Sequence, residues 1–159
     1  MALGKVNVNN LNLSQGAVTE VEKYFLFIGT GSKSQGQVLA INTDSDLDVM
    51  LGIPASDLKT QITAARLNGG ENWACLAVPL AADATWQTAL TKALQLNYSF
   101  EAIVICTAVA SGAELSTMHD AALSLNNSMG RRAFVIAASE GIAPTMTWAD
   151  YLAEQKAIT

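Results

Sequence analysis

Ala102-Ile103-Val104-Ile105-Cys106-Thr107, then Ser111-Gly112-Ala113-Glu114, and beyond Gly130 Ala133-Phe134-Val135-Ile136-Ala137-Ala138, are the stretches that decide how this chain folds. The first and last are apolar runs of strand length with no polar alternation, the pattern of strands covered on both faces. Between them Ser111 stands where a helix N-cap belongs, and Glu114 three residues later completes a capping box. The apolar stripe Leu115, Met118, Ala122, Leu125 and Met129 follows at helical spacing, and Gly130 takes the C-terminal cap position. Strand, helix and strand in direct succession make a βαβ unit, whose two strands run parallel.

The same alternation extends toward both termini. Tyr24 to Ile28, Val38 to Ile41 and Trp73 to Val78 are further apolar runs. Asp57 to Leu67 places Leu58, Ile62 and Ala65 on one helical face, and Thr85 to Leu96 does so with Trp86, Leu90, Ala93 and Leu94. A last helix is predicted from Thr147, with Asp150 as its box partner, burying Trp148, Tyr151 and Leu152. The predicted fold class is therefore α/β: a three-layer sandwich around a mostly parallel sheet, with Ile103, Val104, Ile105, Val135 and Ile136 in central strands.

Ahead of this domain lies a segment that does not fit the alternation. Val6-Asn7-Val8-Asn9-Asn10-Leu11-Asn12-Leu13 is apolar at every second residue within each half, with the parity shifted at Asn9-Asn10. It reads as an extended segment with a bulge or kink. The expected organisation is an extended N-terminal arm over residues 1–20 and a single α/β domain over 21–159. At the other end Lys156-Ala157-Ile158-Thr159 leaves a helix without a glycine cap, a proline stop or a polar tail, so the chain is expected to be the front part of a longer polypeptide.

Composition narrows the partners. The chain has 159 residues, about one domain's worth, with 9 basic and 14 acidic residues for a net charge of -5. Only 14% of residues are charged and 50% are hydrophobic, 26 of them alanine, against the roughly 25% charge usual for soluble proteins. Such a chain is expected to cover part of its surface with a partner. An acidic balance without a basic cluster argues against nucleic acid, whose binding runs on Lys and Arg neutralising phosphates. No run reaches 18 apolar residues and the N-terminus lacks the apolar core of a signal peptide, so neither membrane insertion nor secretion is expected.

Several constellations invite a chemical reading. Gly29-Thr30-Gly31-Ser32-Lys33-Ser34 follows an apolar strand, but a P-loop needs glycines where Phe27 and Ser32 stand. A dinucleotide fingerprint would match at Gly29 and Gly31 and fail at Ser34, with no convincing helix after Gln35-Gly36-Gln37. The segment reads as a flexible connection or hairpin turn, and a nucleotide-binding domain or enzyme using Gly29 to Ser34 is the alternative. Asp44-Ser45-Asp46-Leu47-Asp48 has the opening spacing of a calcium loop, yet Val49 and Ala55 occupy the positions that need glycine and glutamate; capping of a short helix through Met50 explains it better.

Cys75 and Cys106 lie inside apolar runs, as reduced core thiols do, and lack metal or disulfide spacing. His119 falls mid-helix beside Met118, as a solvated or half-buried histidine. Arg131-Arg132 follows a helix end, where the dipole welcomes cations. The expected carboxyl ends of the strands carry Thr30, Pro79, Thr107 and Ser139-Glu140, with Glu140 the one carboxylate, and no Gly-x-Ser-x-Gly elbow occurs. By elimination the chain reads as non-catalytic, with no catalytic residues, cofactor or metal.

Val6 to Leu13 with Ser14-Gln15-Gly16, followed by Thr19-Glu20-Val21-Glu22-Lys23-Tyr24-Phe25-Leu26-Phe27-Ile28-Gly29, resembles the N-terminus of tail sheath proteins of contractile-tailed, Mu-like bacteriophages and prophages. The specific likeness covers about the first 30 residues. It implies a structural protein of the virion tail, made in the bacterial host cytoplasm, that polymerises with copies of itself around the tail tube protein and contracts to drive the tube through a bacterial envelope. It also implies exchange of terminal arms between neighbouring subunits by strand addition, which makes Val6, Val8, Leu11 and Leu13 the candidate subunit contacts. An extended arm ahead of a compact domain suits such β-augmentation on physical grounds as well.

Overall fold

The computed structural model describes residues 24–71 and 73–158. Chain order is β1 (Phe25–Thr30), β2 (Leu39–Asn42), α1 (Leu47–Leu51), α2 (Asp57–Gly69), β3 (Ala74–Leu80), α3 (Trp86–Gln95), β4 (Ala102–Val109), α4 (Gly112–Met129), β5 (Phe134–Ser139) and α5 (Trp148–Ile158). The strands form one sheet in the order β2-β3-β1-β4-β5. β1, β3, β4 and β5 are parallel, while β2 runs antiparallel to β3 at one edge. Because the chain moves to one side of β1 for β3 and to the other for β4, the order reverses at β1. The carboxyl ends there form the crevice in which open α/β sheets bind ligands.

Strand alternation divides the core in two. Leu26, Ile28, Leu76, Val78, Ile103 and Ile105 face α3 and α4 and pack with Trp86, Leu90, Met118 and Leu125. Phe27, Cys75, Ala77, Val104 and Cys106 face the opposite layer, against Leu47 and Leu51 of α1 and Leu58 and Ile62 of α2. Three layers result, as the apolar runs predict.

The helix boundaries follow local capping chemistry. Ser111 Oγ accepts from the Glu114 N–H at 3.3 Å, while the Glu114 carboxylate reaches back to the Ala110 N–H at 3.4 Å. Gly130 ends α4 in the left-handed region at φ 65°, donating to Asn126 O and Leu125 O. Asp46 caps α1 by accepting from the N–H groups of Asp48 and Val49 at 2.9 and 3.1 Å, so the aspartate cluster serves a short helix. Lys59 Nζ pairs with Asp48 and donates to Gly52 O and Ile53 O, tying α1 to α2.

The structure corrects two expectations and decides between the alternatives of a third. Val135 and Ile136 lie in β5, an edge strand, and Ile136 is 40% exposed, whereas Ile103, Val104 and Ile105 are buried in the interior strand β4. An apolar run reads the same whether its last face is covered within the domain or left for something outside it. Trp148 and Leu152 of α5 are 67% and 54% exposed, and Met129 at the end of α4 is half exposed, so helical spacing did not translate into burial there. The segment after β1 is a connection and no hairpin, because β2 pairs with β3.

Candidate functional site

The Gly29–Gly36 segment sits at the carboxyl end of the central strand, where a phosphate cradle would have to be. Gly29 and Gly31 are accounted for by packing, and Gly36 by its positive φ of 70°. A Cβ on Gly29 would lie 2.7 Å from Cys106 Cβ and 3.2 Å from Leu58 Cβ, so the absent side chain lets α2 approach the sheet. A Cβ on Gly31 would meet Pro79 Cβ at 2.7 Å. Two of the loop's amides are committed as well: Gly31 N–H donates to Leu80 O at 3.2 Å and Gly36 N–H to Pro79 O at 2.8 Å. Gln35 Nε2 donates to Gly31 O at 2.7 Å, and Lys33 is exposed. The chain runs on into β2 rather than into a helix N-terminus, which would supply the dipole for an anion.

The neighbouring cleft between the ends of β3 and β4 is lined by Leu80, Thr85, Thr107 and Glu114 among others. Glu114 is thus a second carboxylate at the strand ends, beside the Glu140 singled out by sequence. Its capping position was the available signal, since a helix that starts where β4 stops must place its first turn at the crevice. Glu140 contributes its carbonyl to the Tyr151 hydroxyl at 3.1 Å. Arg131 donates to Tyr98 O at 2.7 Å, in the loop after α3, which gives it a role apart from its own helix's dipole.

Both thiols are free and buried on the α2 side of the sheet. Burial foremost, and then the charge of Cys106, pushes the Cys75 thiol up to about 12. Burial and the nearby Asp57 carboxylate push Cys106 up to about 12, against a backbone hydrogen bond from Ile28 that works in the opposite direction. Thiols held protonated in this way are poor nucleophiles and poor metal ligands. Among the described residues no group of three His, Cys, Asp or Glu side chains could hold a metal ion. No helix among them is long and apolar enough to cross a membrane.

The most distinctive surface is the β5 edge. Phe134 is 54% and Ile136 40% exposed on the α2 face of the sheet, where α2 itself packs over β1, β3 and β4. On the other face a groove of about 660 Å³ runs between α4 and β5, with Met118, Ala122, Val135 and Ala137 in its apolar wall and His119 and Arg132 at its rim. His119 is exposed, as its mid-helix place implies. Val6, Val8, Leu11 and Leu13, the expected arm contacts, lie outside the described residues.

Fold and surface together define a doubly wound α/β domain with one apolar sheet edge that no strand among the described residues covers. Residues 3–159 match the family model described as DUF2586, N-terminal domain, and the chain belongs to that family. It is 33% identical over 152 residues to the "Putative tail sheath protein" of Haemophilus phage HP1 (strain HP1c1), a match covering 92% of this chain. The chain spans about 40% of that relative's length. No solved structure matches.

Proposed function

We propose that this chain is a structural component of a phage tail, forming part of a sheath subunit that polymerises with copies of itself around the tail tube protein and contracts during injection. The observation that carries the reading is the 33% identity, over nearly the whole chain, to a protein that bears the tail sheath name. Two physical features support it. A charge content of 14% suits a subunit buried among its copies, and the open β5 edge offers main-chain and apolar contacts of the kind that build such assemblies. Head-to-tail contacts that do not close generate helical filaments or stacked rings.

In this reading the chain is no enzyme, takes no cofactor and binds no nucleic acid, and it works in the virion tail after synthesis in the host cytoplasm. Its arm, residues 6–13, is the segment exchanged between neighbours. The test is twofold. Concentrated protein viewed by electron microscopy is expected to show tubes or stacked rings, and a nucleotide panel is expected to leave its melting temperature unchanged. A ligand at 100 times its dissociation constant would add about 2.7 kcal/mol, so saturable ATP or NAD binding that disappears in Lys33→Ala would overturn the reading in favour of a nucleotide-binding domain.

A further inference from the structure

Two strands, β2 and β5, pair on one side only among the described residues. β5 has six residues, Phe134 to Ser139, and β2 has four, Leu39 to Asn42; neither contains a charge or a proline, the usual devices that keep sheet edges apart. Their directions are opposite. β2 runs against the rest of the sheet, so a second copy set beside the first in the same orientation brings its β2 antiparallel to β5.

The outward main-chain groups match as well. Phe134 N–H donates to Glu101 O at 3.1 Å, so Phe134 and, by alternation, Ile136 turn toward β4, while Val135 and Ala137 turn outward. On β2, Asn42 gives its N–H to Ser45 Oγ at 3.0 Å and its carbonyl to the Ser45 N–H at 3.2 Å. Asn42 is thus turned away from β3, and by alternation so is Ala40. Partners that exchange bonds across an antiparallel pair share a face. Val135 lies on the α4 face, and so does Ala40, since its neighbours Leu39 and Ile41 belong to the α2-side core. With Val135 opposite Ala40, Phe134 falls opposite Ile41 and Ile136 opposite Leu39. The exposed Phe134 and Ile136 then continue an apolar row of the next copy.

Charge fixes the choice of partner. Arg131 and Arg132 precede β5, and Asp44 and Asp46 follow β2. The antiparallel sense puts both pairs at the same end of the sheet, and the same register sets Arg131 level with Asp44. Arg132, Asp44 and Asp46 are all exposed.

We propose that β5 of one copy pairs with β2 of the next, joining the two folded domains into one continuous sheet with the arginines against the aspartates. The proposal rests on the self-assembly reading above and deepens it by naming a contact between the domains themselves. The two edges are different surfaces, so the contact is head-to-tail and repeats along a ring or helix.

The test uses the full chain. Bonded antiparallel partners stand about 5.5 Å apart at Cα, within disulfide reach, and the native thiols are buried. An Ala40→Cys, Val135→Cys variant, assembled and mildly oxidised, is expected to give a ladder of covalent oligomers on a denaturing gel, and either substitution alone to give no covalent dimer. Assembled double-cysteine protein without the ladder would overturn the contact and leave self-assembly standing. Dimers from Val135→Cys alone would overturn it in favour of β5 meeting β5. A wild-type chain that stays as single subunits would overturn self-assembly, and the proposal with it. Charge variants give a second readout that needs no new cysteine. Asp44→Lys should melt like the wild type and raise the concentration needed for assembly at least about threefold, and adding Arg132→Glu should reverse the rise. Unchanged assembly of Asp44→Lys, or a rise that Arg132→Glu leaves in place, would overturn the proposed contact.

Discussion

The ring of Phe134 meets the ring of Phe25 edge-on, centroids 6.3 Å apart and planes at 81°, across the full width of β4. Register explains the contact: Phe25 pairs with Ala102 and Ala102 with Phe134, so the three residues form one row on one face, with the small fully buried alanine between two rings. The pair anchors the start of the edge strand to the central strand. Because Phe134 is half exposed, Phe134→Ala should cost only about 1–2 kcal/mol in a urea unfolding curve of the single subunit, from the lost ring pair and partial burial.

Ile105 belongs to the other face, 5% exposed between α3 and α4. Ile105→Ala should lower stability by about 2–5 kcal/mol through lost burial and the cavity left behind. Calorimetry or chemical denaturation checks this, and a cost below that of Phe134→Ala would mean that the core has been assigned to the wrong strands.

Gly29 separates packing from ligand binding. Gly29→Ala should destabilise the fold by roughly 1–3 kcal/mol, because the new methyl group meets Cys106 Cβ, which belongs to a strand that cannot easily yield. Gly36, with open space around its Cα and a positive φ of 70°, should show the strain of a left-handed alanine with no packing clash. The two melting temperatures distinguish the effects.

The thiols predict an alkaline dependence. Both Cys75 and Cys106 are raised from 9.0 to about 12 in the fold, so ionisation favours the unfolded chain once pH exceeds 9. Their contribution is fully present below pH 9 and is lost as pH rises toward 12. The stability difference between wild type and a Cys75→Ala, Cys106→Ala variant should therefore narrow across that window. Both thiols should also resist alkylation at neutral pH until the protein unfolds.

The sequence made the layers legible and left the edges illegible. Strands such as Ala102 to Thr107 carry their burial in an unbroken apolar run, and Ser111, Glu114 and Gly130 mark a helix by chemistry that acts within a few residues. Nothing local distinguishes Val135-Ile136 from Ile103-Val104. Whether a neighbouring strand covers them is decided elsewhere in the chain or in another copy of it. The same limit applies to Trp148, whose helical spacing with Leu152 is that of a buried face although both are exposed. Gly29 looked like half a nucleotide motif for a related reason, since close approach to a phosphate and close approach to a helix ask for the same missing side chain.

Assembly through the arm can be probed by removing residues 1–15 from the full-length protein, then comparing polymers by electron microscopy and stability by thermal melting. Main-chain bonds of a docked strand contribute about 0.5–1.5 kcal/mol each, so the truncated chain is expected to form no polymers and to keep the wild-type melting transition. Normal polymers from the truncated chain would contradict arm exchange, and loss of the melting transition would place the arm in its own domain's core.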